Sequence, residues 1–315
     1  MVELGDFFKS NIPADKVVGT YIYPYCLLSE PNWEDPLSAT EVIQQIDTSQ
    51  GKILVTRNGG LFIEPPAELA RADPVSNLKA KIAFEKEAAK LLNLVICEYA
   101  LHEIISEPAT QVHISAGKLI DGHALITSAG GGREIYLVRT LNPSIQLSLP
   151  QGMWRMHPVY DMQITVDVAK LSCASRLAGI SENLPSLTAG AYSLFSKMQL
   201  SEALIDAWIV VEQAIDWLWN EHKNGISDTE RKERLADSRT YTSAVRIELL
   251  HTIGVLDSGL YSHMTRARTH RNNLAHRATI SLDMTEETLM AMKSTIEFLC
   301  GTQVGTPSVS TGVNW

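Results

Sequence analysis

Residues 201–220 read SEALIDAWIVVEQAIDWLWN, and the spacing of their apolar side chains decides the class of the C-terminal part of the chain. Leu204, Trp208, Val211, Ile215, Leu218 and Trp219 recur at intervals of three and four, the period of one buried helix face. Helical signals continue downstream. Asp228 is an N-cap for a charged helix from Thr229 to about Ala236. A third helix runs from Thr242 through Leu250 to Gly254, which suits the left-handed position after a helix end. Asp257 or Ser258 caps a fourth that reaches toward His276. Asp283, with Glu286 three residues on, has the spacing of a reciprocal cap and opens a fifth that closes at Cys300-Gly301. Thr302 to Trp315 carries no charge and is rich in Gly, Ser, Thr and Val, the composition of a frayed tail.

Upstream the pattern differs. Short β-rich runs occur at Val17–Tyr23, Lys52–Thr56, Leu61–Ile63, Gln111–Ser115, His123–Thr127, Glu134–Val138 and Gln163–Val168. Asn58-Gly59-Gly60 between two of them predicts a hairpin, because its residues take the positive φ that tight turns need. One long helix interrupts the strands from Ser76 to about Ile105; its second half is apolar nearly all round and so is expected to be buried. Composition shifts near Ser181–Pro185. The expected architecture is therefore an α+β domain over 1–185, an all-helical bundle over 186–302 and a flexible tail over 303–315.

A length of 315 residues suits two ordinary domains, and 45% hydrophobic with 20% charged residues is enough apolar material for real cores. The formal charge of −9 excludes a protein that coats nucleic acid by bulk electrostatics, so any RNA site must be local. The N-terminus lacks the basic start and apolar run of a secretory signal. No segment reaches the ~18 uninterrupted apolar residues of a membrane span. A cytoplasmic location without membrane contact is expected. Cys26, Cys97, Cys173 and Cys300 form no close pairs and read as reduced, structural thiols. His113, His123 and His157, with Asp121 or Asp161 nearby, show no metal-ligand spacing, and neither metal nor cofactor is expected. Gly130-Gly131-Gly132 reads as a hairpin loop, since no helix opens after it to hold a phosphate.

One segment stands apart. Between Ser258 and Leu282 there is no Asp or Glu, while Arg266, Arg268, Arg271, Arg277, His263, His270 and His276 all fall there. In so acidic a chain this is where a phosphate would sit. The motif Arg271-Asn272-Asn273-Leu274-Ala275-His276, preceded by a helix carrying Trp208-Ile209-Val210-Val211-Glu212-Gln213, resembles the higher eukaryotes and prokaryotes nucleotide-binding (HEPN) domain, over roughly residues 186–302. The resemblance implies a ribonuclease that forms a symmetric homodimer through the helical domain, with both copies of the motif lining one cleft. It also implies a toxin, antiviral or stress-response role. A subgroup of the family carries a tyrosine two residues after the histidine, where Ala278 stands here.

The residues support such chemistry on their own terms. Metal-independent RNA cleavage uses the 2′-OH as nucleophile, so a protein must move protons and stabilise charge on phosphorus. His276 exchanges protons near neutral pH, and Arg271 offers a permanently charged planar fork to phosphate oxygens. On a continuous helix the two lie about 140° apart, so one helix alone makes a poor site, whereas two meeting across a two-fold axis bring both groups into one groove. Asn272, one turn before His276, is expected to hold the imidazole or touch phosphate. Arg266, Arg268, Arg277 and His270 are candidate RNA contacts, and Glu212 is a candidate support for the motif arginine. The N-terminal domain would answer to a regulatory protein or small-molecule signal, or position substrate. The alternative is a catalytically silent module that binds nucleotide or protein.

Overall fold

The computed structural model describes residues 15–22, 27–32, 35–48, 51–65, 78–126, 167–168 and 170–305. The expected strands at 134–138 and 163–168 (apart from Asp167 and Val168), the glycine run at 130–132, Cys26, His157, Asp161 and the tail beyond 305 lie outside the described residues. Two compact units emerge, one from Met1–Tyr99 with Glu107–Leu171, the other from Ala100–Ser106 with Ser172–Trp315. The first is α+β and the second is all-helical.

The first unit contains β1 (Asp15–Tyr21), β2 (Val42–Thr48), β3 (Gly51–Thr56), β4 (Gly60–Ile63), α1 (Leu78–Leu101), β5 (Ser115–Ile120) and β6 (His123–Ile126). The strands form one antiparallel sheet of order β2-β3-β4-β1-β5-β6. The predicted hairpin is β3 and β4, and Gly59 takes φ 74° in its turn. The sheet curls into a half-barrel whose outer strands meet at one end, where Val42 N–H donates to Gly122 O at 2.8 Å and Glu41 bridges His123. Inside lie Val17, Tyr21, Leu54, Phe62, Ala124 and Ile126. Ile53, Val55, Leu61 and Ile63, on the other face, are also buried. Burial on both faces explains why these strands read as unbroken apolar runs instead of alternating ones.

Close packing inside the curl depends on two glycines. Across the β1–β4 pair Gly19 lies opposite Phe62 and Gly60 opposite Tyr21, and the two rings meet edge to face at 6.0 Å. A Cβ on Gly19 would run into the Leu61 carbonyl oxygen and come within 2.7 Å of Phe62 Cδ1; one on Gly60 would come within 2.5 Å of Phe62 Cε2. Each glycine is the floor on which a cross-strand aromatic ring rests. Arg57 then fastens the open end. Its Nε donates to Ser38 O at 3.1 Å, Nη1 to Ser29 Oγ at 2.7 Å and Glu30 O at 3.1 Å, and Nη2 to Glu41 Oε2 at 2.5 Å.

Three elements of this unit differ from expectation. Residues Gln111–His113 form a 3-10 turn, and the strand starts only at Ser115. The Thr110 N–H donates to His113 Nδ1 at 3.1 Å while His113 N–H returns to Thr110 O at 2.9 Å, which closes the turn and leaves Val112 pointing to solvent. Burial lowers the His113 pKa and so keeps Nδ1 available as acceptor. Strand β2 was not anticipated, because a register shift between Val42 and Gln44 breaks its alternation. Helix α1 ends at Leu101, four residues before the expected Ile105. The Asn93 amide then holds the returning chain, donating to Ala109 O at 2.9 Å and accepting from Ala109 N at 2.7 Å.

The second unit holds α2 (Ser172–Ile180), α3 (Leu184–Ser196), α4 (Leu200–Asn224), α5 (Thr229–Leu235), α6 (Ser243–Thr252), α7 (Ser258–Arg277) and α8 (Leu282–Cys300). Apart from Ala100–Ser106, it opens at Ser172, ahead of the expected division at 185/186, because α2 and the start of α3 belong to it. Helix α3 buries Thr188, Ala189, Gly190, Ala191, Tyr192, Ser193 and Phe195, so it has no polar stripe to set a period. Helix α4 is the pillar: it packs on α3, α8, α6 and α7 and buries Leu204, Trp208, Val211, Ile215, Leu218 and Trp219, the residues whose spacing predicted it. Trp219 Nε1 donates to Leu235 O at 3.1 Å and its ring stacks on Tyr241, so this tryptophan serves the core. Helix α8 begins at Leu282 under a Ser281 cap, not at Asp283. Its buried Thr288 and Thr295 satisfy their hydroxyls on carbonyls one turn back. Cys97 and Cys173 are buried and Cys300 is half-buried. Among the described residues no helix is long and apolar enough to cross a membrane.

Candidate functional site

Helix α7 carries nearly every candidate. Asp257 caps it, accepting from Leu260 N at 2.8 Å, and the helix continues unbroken to Arg277 before Ala278 turns left-handed at φ 49° and donates to Leu274 O. Its buried face is Leu260, Met264 and Ala267, at spacings of four and three. Arg271 lies about 13° from the mean direction of that face on a helical wheel and is half-buried, while His276 sits in the last turn, on the exposed side. Positive side chains in a last turn face the negative end of the helix dipole, which favours His276 and Arg277 there without any carboxylate.

The Arg271 guanidinium is held by its neighbour, Nη1 donating to Asn272 Oδ1 at 3.1 Å. Among the described residues Arg268, Arg271 and Arg277 have no carboxylate partner, and His276 has no hydrogen-bond partner. Arg271 and His276 make no contact within one chain, as their angular separation requires.

The opposite side of α7 is neutralised. His270 Nε2 lies 2.7 Å from Glu287 Oε2 on α8, Arg266 Nη1 lies 3.8 Å from Glu287 Oε1, and His263 Nδ1 lies 3.0 Å from Ser294 Oγ. The structure thus separates the expected RNA contacts into two groups: His270 and Arg266 turn to α8, whereas Arg268 and Arg277 do not. Glu212 also lies elsewhere than expected. It accepts from Ser243 Oγ at 2.7 Å at the start of α6, beside the Asp216–Arg246 ion pair, and so braces α4 against α6 instead of the motif arginine.

Glu287 has a measurable signature. The hydrogen bond from His270 chiefly holds its carboxyl below the ordinary glutamate value of 4.5, with the charges of His270, Arg266 and His263 adding to the effect. A carboxylate whose folded pKa is depressed contributes stability above its unfolded value and loses it as pH falls through the folded one. Wild type is therefore expected to melt above a Glu287→Gln variant at neutral pH, and the two melting curves should converge as pH falls through the depressed folded value, which lies below 4.5. A difference that persists unchanged into strong acid would show that the carboxylate charge is not what matters.

Sequence reading missed Glu287 and a second cluster where α6 meets α7. There Tyr261 donates its hydroxyl to Glu248 Oε1 at 2.7 Å and stacks on His251 with ring centroids 4.4 Å apart, while His251 Nδ1 lies 2.9 Å from Leu256 O. Among the described residues no group of three His, Cys, Asp or Glu side chains is placed to hold a metal ion. His123 Nδ1 lies 3.3 Å from Thr40 Oγ1, which accounts for one of the histidines scanned for metal spacing. No family model, curated protein or solved structure matches the chain.

Proposed function

We propose that this protein is a metal-independent RNA endonuclease of HEPN type, acting in the cytoplasm as a homodimer through its helical unit in a toxin, antiviral or stress-response setting. The observation that carries the reading is the state of the motif pair. Arg271 is half-buried, held by Asn272 and without a carboxylate among the described residues, five residues before an exposed, unpartnered His276. An arginine left without a counter-charge in a chain of net charge −9 is a place for an anion.

The chemistry follows from what these groups can do. A general base takes the proton of the 2′-OH, the 2′-oxygen forms a bond to phosphorus, and the bond from phosphorus to the 5′-oxygen breaks as that oxygen is protonated. His276 is the proton-transfer group, at the base step or the acid step. Arg271 clamps the non-bridging oxygens as their charge grows, and Asn272 sets the angle of that clamp. Because Arg271 and His276 point about 140° apart on one helix, a second copy of α7 supplies the complementary member of each pair. The strand-rich unit responds to a protein or small-molecule signal, or positions the substrate.

Incubating the purified chain with total RNA in EDTA tests this. The expected products are fragments ending in 2′,3′-cyclic phosphate and beginning with 5′-hydroxyl, and Arg271→Ala should suppress them. RNA that stays intact with the wild-type chain in chelator overturns the assignment.

A further inference from the structure

Helix α7 has two lateral faces, and their basic side chains are partnered differently. On the α8 side, Glu287 takes up Arg266 and His270, and Ser294 takes up His263. On the other side, Tyr261, Thr265, Arg268, Asn272 and His276 follow one another at spacings of four, three, four and four, a single stripe along the helix. The stripe starts where α6 packs, at the Tyr261–His251 stack, and runs about 22 Å to the motif histidine. Arg268 stands midway with no carboxylate partner among the described residues.

The rings at its start are fixed in place. Glu248 holds the Tyr261 hydroxyl, His251 covers one face of the ring, and the Leu256 carbonyl holds His251 in turn. Among the described residues no second ring lies against Tyr261, and its side chain is only half-buried. An aromatic ring already oriented loses little freedom when a base stacks on it, and a stacking base must first leave a duplex.

Resting on the ribonuclease reading above, we infer that single-stranded RNA reaches the motif along the α6-facing side of α7, with Tyr261 backed by His251 as a base platform and Arg268 as a phosphate clamp. Tyr261 and Arg268 are positioning residues, not catalytic ones. The span from platform to His276 accommodates several nucleotides of an extended strand. Glu287, by neutralising the α8 side, confines the strand to this path.

Binding of a fluorescein-labelled single-stranded RNA of mixed sequence to the full chain carrying His276→Ala, in EDTA, tests the path. Adding Tyr261→Leu should weaken binding by about 5- to 100-fold. Adding Tyr261→Phe, which keeps the ring, should leave it within about threefold of the parent. A duplex of the same sequence should be indifferent to both changes. Arg268→Gln, at a position whose loss does not disturb the core, should weaken the single strand and lower the slope of log affinity against log salt by about one. Single-strand affinity unchanged by Tyr261→Leu and Arg268→Gln, or duplex and single strand weakened alike, overturns the proposal. The two readings separate cleanly in the His276-intact chain. If that chain leaves RNA uncut while Tyr261→Leu still loses single-strand affinity, the nuclease reading fails and the platform stands. If it cuts RNA and Tyr261→Leu binds and cuts equally well, the platform fails alone.

Discussion

Replacing His276 with alanine is expected to slow cleavage of single-stranded RNA in chelator by about 10²- to 10⁴-fold, the usual worth of a positioned proton-transfer group. The side chain is exposed and has no hydrogen-bond partner among the described residues. Its removal should therefore leave stability within about 0.5 kcal/mol of wild type, so a lost rate cannot be a lost fold. Arg271 offers the matching control from the electrostatic side. Arg271→Lys keeps the charge and loses the planar fork, and its rate should fall between wild type and Arg271→Ala. If the cleft is shared between copies, mixing His276→Ala chains with Arg271→Ala chains should recover cleavage that neither shows alone, because the mixed dimer retains one of each group. Cleavage by His276→Ala at the wild-type rate, with cyclic-phosphate ends unchanged, would end the mechanism.

The helical part of the fold was legible because its pillar is amphipathic and its ends carry side-chain caps. Asp228 and Asp257 both accept the backbone N–H expected of an N-cap, from Arg231 and Leu260. Helix α3 stayed hidden for the opposite reason, since a helix buried nearly all round shows no period. The half-barrel showed its strands but not its order. Inserting β1 between β4 and β5 is a long-range choice made by packing Phe62 on Gly19 and Tyr21 on Gly60, and no local signal announces it.

At the candidate site, the acid-free run from Ser258 to Leu282 was visible, yet it stops short of the acid that matters. Glu287 comes from the next helix. A register signal was available: His263–Ser294 and His270–Glu287 are both equidistant from the turn between Ala278 and Thr279, as two antiparallel helices joined by a short loop require. Counting outward from that loop would have assigned His270 to Glu287, with Arg266 one turn further along the same face. The same counting cannot find the Tyr261–His251–Glu248 cluster's stacking geometry, which depends on how α6 turns into α7.

Phe62→Ala is expected to cost about 3 to 5 kcal/mol, near the top of what a single core truncation removes. The ring is fully buried, and its neighbours across the strand pair are what make the site rigid. Gly19 and Gly60 have no side chains that can move in to fill the space, and Tyr21 meets the ring only by its edge. On the β1 side collapse would have to come from the backbone of β1 and β4, which the ladder on both sides of β1 resists, and only Leu54 and the rest of the inner cluster could close in from elsewhere. Urea unfolding of the full chain measures the loss, and hydrogen exchange locates it, with protection falling in β1, β3 and β4. A cost below about 1 kcal/mol would mean that the half-barrel is loosely packed and that the glycine floor is incidental. Gly19→Ala sharpens the distinction. Its new Cβ opposes both the Phe62 ring and the Leu61 carbonyl oxygen, and only the first of these disappears when Phe62 is alanine. The double variant should therefore remain less stable than Phe62→Ala alone, because the backbone clash survives the removal of the ring.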